Sequence, residues 1–529
     1  MVSLPPQYRK LRDSKEQECR TFCTDNQPGM NKAESILHSQ QLSHGHLLFR
    51  GTILVFLAEV LLPVTGIVTA SFLTRKLGAS DYGLLVLAST LISWIELAIT
   101  SLFSRAAVKL VSDSVDWRPI GATLLRLHAY ISLGALAVCW MSAKPLAALL
   151  GEPRLAGCFA LFALDIPIFS LAHCHRSLLV GRGRYTERAK ASAGRWIARL
   201  LLILFLVEIG LSLQGAILGN IGASLAELVL ARCYIRPSWK ERMPSSAALW
   251  NYAIPIFLGA IALRFMGLGL FLLKMLGASA AQAGIYGAAQ NISFVMPGIL
   301  AVSISPLLLS TVSRVLRDKD LDAARLISRN AIRAVIAALP FAAMAAAASD
   351  AITVLLFGRH FAGSGPLMEI LVFAGISMIL INLQNAILIA SGNPSWILKL
   401  TAPLLPLAVA GHLLAIPVWG PAGAASITAA VTCLGALIGL IAVRRRLGVP
   451  LPMTTLIRAL LLSGTTYALL HIWPASGLAL LAQMAAVTLL IAGGFILLGE
   501  LQRNEVRFLR SVLLQALKNI KAASRMKPS

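Results

Sequence analysis

Four ionisable side chains fall near the middle of long apolar stretches: Glu59, Glu96, Asp165 and Arg264. A charge at the centre of a bilayer is costly, so such a residue marks a functional site by default. An arginine keeps its charge at any physiological pH and grips phosphate through two parallel hydrogen bonds. Arg264 is therefore expected to face a cavity and hold an anionic group. The three acids are expected to couple a cation, because a carboxylate removed from water readily accepts a proton. The competing reading, of equal weight, has them bonded to each other or to hydroxyls as helix glue. Asp165 precedes Pro167, which frees a carbonyl and permits a kink. Asn382, Gln384 and Asn385 form a polar cluster suited either to sugar hydroxyls or to bridging helices. Lys274, with Arg75 and Lys76 at a matching position, is placed to receive a phosphate or to anchor at the interface.

Other chemistries are absent. The seven cysteines are scattered, and Cys19 and Cys23 have no second pair at zinc-finger spacing, so neither a metal site nor a disulfide framework is expected. There is no P-loop pattern and no cofactor is expected. The net charge of +24 carries no basic stripe with interleaved aromatics, which argues against nucleic acid.

The elements that must position these groups are apolar helices. Of the 529 residues, 57% are hydrophobic and 13% charged, and the mean hydropathy is +0.76. A soluble chain has no use for so much apolar surface, so the fold class is an all-α polytopic membrane protein. Fourteen stretches reach spanning length, with span five at 197–212. Lysines and arginines number 24 in one set of connections and 6 in the alternate set. That bias places both termini in the cytoplasm and requires an even number of spans. The basic loops face anionic membrane lipids.

The chain repeats itself. Leu77-Gly78-Ala79-Ser80 recurs as Leu276-Gly277-Ala278-Ser279, the loop at 178–190 matches 388–400, and the opening of span six at Gly215-Ala216 matches span twelve at Gly423-Ala424. Three matches in one order, about 200 residues apart, indicate two parallel six-helix lobes plus two C-terminal helices. The expected organisation is a disordered polar tail at 1–47, an N-lobe at 48–235 and a C-lobe at 250–446. Spans thirteen and fourteen occupy 452–500, and a basic amphipathic tail occupies 501–529.

Several segments resemble the polysaccharide-exporter branch of the multidrug/oligosaccharidyl-lipid/polysaccharide exporter superfamily. They are RKLGASDYG (75–83), LLVGRGRY (178–185), GIYGAAQNI (284–292), IASGNPS (389–395) and GPAGAA (420–425). The resemblance covers roughly 48–500. It implies two bundles that rock about a central cavity in a bacterial inner membrane. It also implies a polyprenyl-pyrophosphate-linked saccharide as cargo, flipped outward for surface polysaccharide synthesis, exopolysaccharide or lipopolysaccharide. A polysaccharide polymerase or export complex is the implied partner. Three acids and one arginine make the expected mid-membrane set poor in positive charge, which leaves room for a cationic substrate. A cation-coupled multidrug-type antiporter of the same superfamily is the alternative. A polytopic polymerase or ligase ranks below both, because the short outward loops lack a catalytic cluster.

Overall fold

Helix dominates the chain wherever a computed structural model describes it, at residues 30–114, 116–239, 241, 268–392 and 399–500. The N-terminal half comprises α1 (Met30–Asp113), α2 (Arg118–Leu149), α3 (Arg154–Phe162), α4 (Asp165–Gly181), α5 (Tyr185–Leu206) and α6 (Ser212–Tyr234). The other half comprises α7 (Gly269–Met275), α8 (Ala280–Arg317), α9 (Leu321–Ile336), α10 (Leu339–Ala347), α11 (Ser349–Phe357), α12 (Gly365–Ala390) and α13 (Leu404–Leu447). Two further helices follow, α14 (Met453–Ile472) and α15 (Leu478–Leu497). Helix thus begins at Met30, inside the stretch expected to be a disordered tail. The expected amphipathic helix at 501–521 and most of span seven lie outside the described residues.

Nine helical stretches among the described residues are long and apolar enough to cross a membrane. Three of them, Leu57–Ser104, Tyr185–Tyr234 and Lys399–Leu447, run 48, 50 and 49 residues. At 1.5 Å per residue each is about twice the thickness of a bilayer core. Each is broken near its middle by a glycine at positive φ: Gly78 (72°), Gly210 (98°) and Gly420 (55°). Only glycine adopts that conformation without strain, so each stretch is two crossings joined by a tight turn. Within Tyr185–Tyr234 the arms lie back to back, and a methyl on Gly219 would come within 2.5 Å of the Ile203 side chain. Large apolar side chains such as Leu414, Val418, Leu489 and Leu497 stay exposed, as a lipid-facing surface requires.

The apolar core is divided unevenly. One buried cluster draws on both halves and includes Leu84, Leu87, Phe159, Ala283, Tyr286 and Phe361. A second belongs to the N-terminal half alone, around Phe103, Leu124 and Leu178. A third, around Val312, Ile387 and Val443, draws on the C-terminal half and α14. The halves therefore share a core in one region and keep separate cores elsewhere.

The shared region lies at the Gly78 and Gly277 turns. There α1 crosses α8 with no side chains between the backbones. A methyl on Gly83 would collide with the Ala280 carbonyl, and one on Gly284 with the Ala79 carbonyl. Two polar contacts flank the crossing in reciprocal fashion. Arg75 of the first half donates to the Leu355 carbonyl of the second at 2.7 Å. Lys274 of the second half pairs with Glu152 of the first at 3.0 Å. Ser71 also donates to the Leu356 carbonyl. The connection at about 350–366, the longest of the short outward loops, contains most of α11 and a short 3-10 turn at Arg359–Ser364. It seats Phe361 edge-on against Tyr82, with ring centres 5.6 Å apart.

Candidate functional site

Beside this crossing the two halves enclose a cavity of about 330 Å³. Its polar lining comes from Glu59 and Tyr82 on α1, Arg199 on α5, Asn220 on α6 and Asn291 on α8. Apolar walls include Leu73, Leu85 and Phe294. Asn291 lies beside the buried Tyr82 hydroxyl. A cavity of this size, mostly apolar with a few convergent polar groups, is the usual form of a small ligand site.

The positive charge arrives on α5. Gly183 at φ 71° turns the chain, and the helix then starts at Tyr185, twelve residues before the expected start of span five. Arg188, Ser192, Arg195 and Arg199 consequently follow one another along a single helix face, at i, i+4, i+7 and i+11. Taken for loop residues, these arginines made the expected mid-membrane set look poor in positive charge. Helix α5 joins them to the apolar stretch that follows, and Arg199 borders the cavity.

The lower rungs are neutralised. Arg188 pairs with Glu59 at 3.3 Å. Arg195 pairs with Glu227 of α6 at 3.1 Å and lies over the Phe169 ring, 4.3 Å from its centre. The other Glu227 oxygen takes Arg176 of α4 at 3.0 Å, and the Glu227 carboxylate is fully enclosed. Arg199 is different. It has no ion pair or hydrogen bond among the described residues, its Nε is buried without a partner, and it borders the cavity. An unpaired guanidinium is five donors in a fixed plane, the arrangement that recognises a phosphate.

Glu96 of α1 and Asp165 of α4 lie side by side, both buried, with Ser224 of α6 and the guanidinium of Arg195 beside Asp165. Glu96 Oε1, Asp165 Oδ1 and Ser224 Oγ have no geometrically formed hydrogen bond among the described residues.

The remaining expected site residues are placed as follows. Glu59 lines the cavity with its carboxylate held by Arg188. Lys274 does not reach the cavity: its ammonium is buried between Glu152 and the Ala278 carbonyl. Gln384 donates to the Ala436 carbonyl and bridges α12 to α13, Asn382 donates to the Met378 carbonyl of its own helix, and Asn385 Nδ2 is buried without a partner. None of these three lines the cavity. Arg264 lies outside the described residues. Sequence reading passed over Arg199, Tyr82, Asn220 and Asn291. The one available signal was the helical spacing of Arg188, Arg195 and Arg199.

Two repeated sets of crossings enclosing a partly basic cavity define a polytopic membrane transporter. The fold is similar to the lipid II flippase MurJ in an inward closed conformation, at 14% identity and a TM-score of 0.66, covering 89% of this chain and 100% of that one. It is also similar to a MATE transporter of Vibrio cholerae, at 15% identity and a TM-score of 0.55, over 78% and 98% of the two chains. A MOP superfamily transporter from Pyrococcus furiosus is similar at 13% identity and a TM-score of 0.53, over 76% and 95%. No curated protein sequence matches the chain. The family model described as polysaccharide biosynthesis protein matches residues 72–366, more than half of the sequence, and the chain belongs to that family.

Proposed function

We propose that the protein flips a polyprenyl-pyrophosphate-linked saccharide from the cytoplasmic to the outer leaflet of a bacterial inner membrane, by alternating access, for surface polysaccharide synthesis. The observation that carries this reading is Arg199, a guanidinium unpaired among the described residues, at the head of an arginine ladder and at the edge of a cavity between two halves. The phosphate groups sit against Arg199, with Asn220 and Asn291 offering hydrogen bonds to sugar or phosphate oxygens, while the lipid chain stays in the bilayer. The family description and the similarity in fold to a lipid II flippase support the same cargo class. With the charge bias of the connections, the Gly83–Gly284 crossing faces outward and the separate cores face the cytoplasm. The flipped saccharide then passes to a polymerase or export complex.

The buried acids favour a second role within the same cycle. Glu96 and Asp165, with unpartnered oxygens and Arg195 and Arg199 nearby, form the better candidate for cation coupling, since Glu59 is already held by Arg188. A multidrug-type antiporter would use the same acids without a phosphate site.

The test is to delete the gene and measure lipid-linked saccharide in each leaflet, then complement with Arg199→Gln. Loss of a charged hydrogen bond of roughly 1.5–3 kcal/mol lowers export about 10- to 150-fold. Accumulation inside and loss outside supports the flippase. An unchanged glycan together with new drug sensitivity moves the reading to the antiporter.

A further inference from the structure

Each half of the chain carries a tyrosine, a basic residue and a small polar residue on matching helices. In the first half Tyr82, Arg199 and Asn220 open onto the cavity. In the second half Tyr286, His412 and Thr428 meet in the buried interior. The repeat sets one of the three in register: Asn220 follows Gly215 at the distance that Thr428 follows Gly423, while Tyr82 and Tyr286 lie two and seven residues after their Leu-Gly-Ala-Ser turns. The basic residues both lie on the helical arm before the mid-helix glycine, Gly210 or Gly420. The cavity-lining Ala70 also has a counterpart, Gly269, seven residues ahead of its own turn.

The second trio is tightly closed. His412 Nδ1 lies 2.6 Å from the Ala408 carbonyl. Its Nε2 lies 3.3 Å from Thr428 Oγ1, which in turn is 3.2 Å from the Tyr286 hydroxyl and 2.8 Å from the Ala424 carbonyl. Gly269 caps the group: a methyl there would come within 2.8 Å of both His412 Nε2 and Tyr286 Oη. His412 is fully enclosed. Among the described residues Tyr286 is the titratable group beside it. Lys274, the charge nearest along α7, is committed to Glu152.

A carbonyl only accepts, so Nδ1 carries a hydrogen in every form and Nε2 is the atom that gains or loses one. Both forms are fully bonded. With a neutral ring, the Thr428 hydroxyl donates to Nε2 and accepts from Tyr286. With a protonated ring, Nε2–H donates to Thr428 Oγ1 and the hydroxyl swings to the Ala424 carbonyl. An ordinary structural histidine needs partners for one form alone.

We propose that His412 Nε2 is a proton-binding site of the second half, and that a proton taken up there releases the crossing between the halves. Among the described residues the pocket offers no counter-ion, and a buried unpaired charge is costly, so the closed arrangement holds the neutral ring. Water must reach Nε2 for the proton to bind, and it leaves from the same atom when the pocket reseals. The link to the crossing is short. Tyr286 sits on α8 between Gly284, which meets Ala79 and Gly83, and Gly287, which meets Val86. A shift of the Tyr286 hydroxyl therefore moves the turn of α8 that holds the halves together. The proposal concerns this proton and does not depend on the cargo.

The experiment needs no cargo. Bio-orthogonal spin labels at Lys144 and Arg359, exposed positions at the crossing end of the two halves, report the separation in lipid nanodiscs at roughly pH 5.5 and pH 8.5, either side of the ordinary histidine range. The wild type should lengthen at the lower pH. His412→Gln should lose that response, and His412→Arg should hold the long distance at both. Thr428→Val, which keeps the shape and removes the relay, should also lose the response and serves if the histidine variants fold poorly. A wild type without a pH response overturns the proposal. So does a response that persists in His412→Gln or Thr428→Val, or one abolished by Glu96→Gln and not by them. Any of these outcomes leaves the phosphate role of Arg199 standing.

Discussion

Arg199 and Arg195 are one helical turn apart on α5, yet only Arg195 has a carboxylate. Glu227 makes that difference, because its two oxygens are taken by Arg176 and Arg195 and none remains for Arg199. Removing its charge leaves two arginines in a buried site without compensation. Glu227→Gln is expected to destabilise the N-terminal half by about 3–5 kcal/mol, read as a lower midpoint in thermal unfolding in detergent. Glu227→Asp, which keeps the charge, should lose less. The acids Glu59, Glu96 and Asp165 stood out in the sequence because each is alone in an apolar stretch. The ladder did not, because its arginines are interspersed with Lys190, Glu187 and small residues that read as a polar loop. Only the helix start at Tyr185, set by the turn at Gly183, brings them onto one face.

At the scale of elements, the crossing of α1 and α8 depends on the absence of side chains. Gly284→Leu should hold the halves apart and stop transport while leaving the protein folded. Retained activity with normal expression would show that the crossing does not close during the cycle. The attachment of α14 and α15 depends on Glu500, which takes hydrogen bonds from Thr455, Arg333 and Arg458. Burial alone would push its carboxyl up, but these donors outweigh burial and hold it below the usual glutamate value. The stabilisation is therefore complete above the unfolded value of about 4.3 and is lost as pH falls through the folded one. Protease access between α14 and α9 should rise in that acid range, and Glu500→Gln should show the same access at neutral pH. Hydropathy located most of these helices, since apolar length is enough for that. It did not show that the stretch at 350–366 is helical, because short turns of helix carry little periodic signal.

For the molecule as a whole, the internal repeat was legible from three short matches, because glycine turns and small-residue openings are dictated locally. What the repeat means for contacts between the halves was not legible, since those contacts join residues 280 positions apart, as in Arg75 with Leu355, and 122 apart, as in Lys274 with Glu152. If the halves rock, these contacts must break in every cycle. A short thiol-reactive cross-linker joining Glu152→Cys to Lys274→Cys should arrest transport, and cleaving the linker should restore it. Transport that continues when cross-linking is complete would mean that the halves move without separating there.

The reciprocal clasp also bears on how such a duplicated chain tolerates change. Arg75 grips a main-chain carbonyl, which any amino acid at position 355 would supply. Lys274 grips a side chain, so its contact survives only while position 152 stays acidic. Two arms with the same geometry thus carry unequal risk from random substitution. One side of the clasp absorbs drift in its partner, and the other obliges two distant positions to change together or not at all.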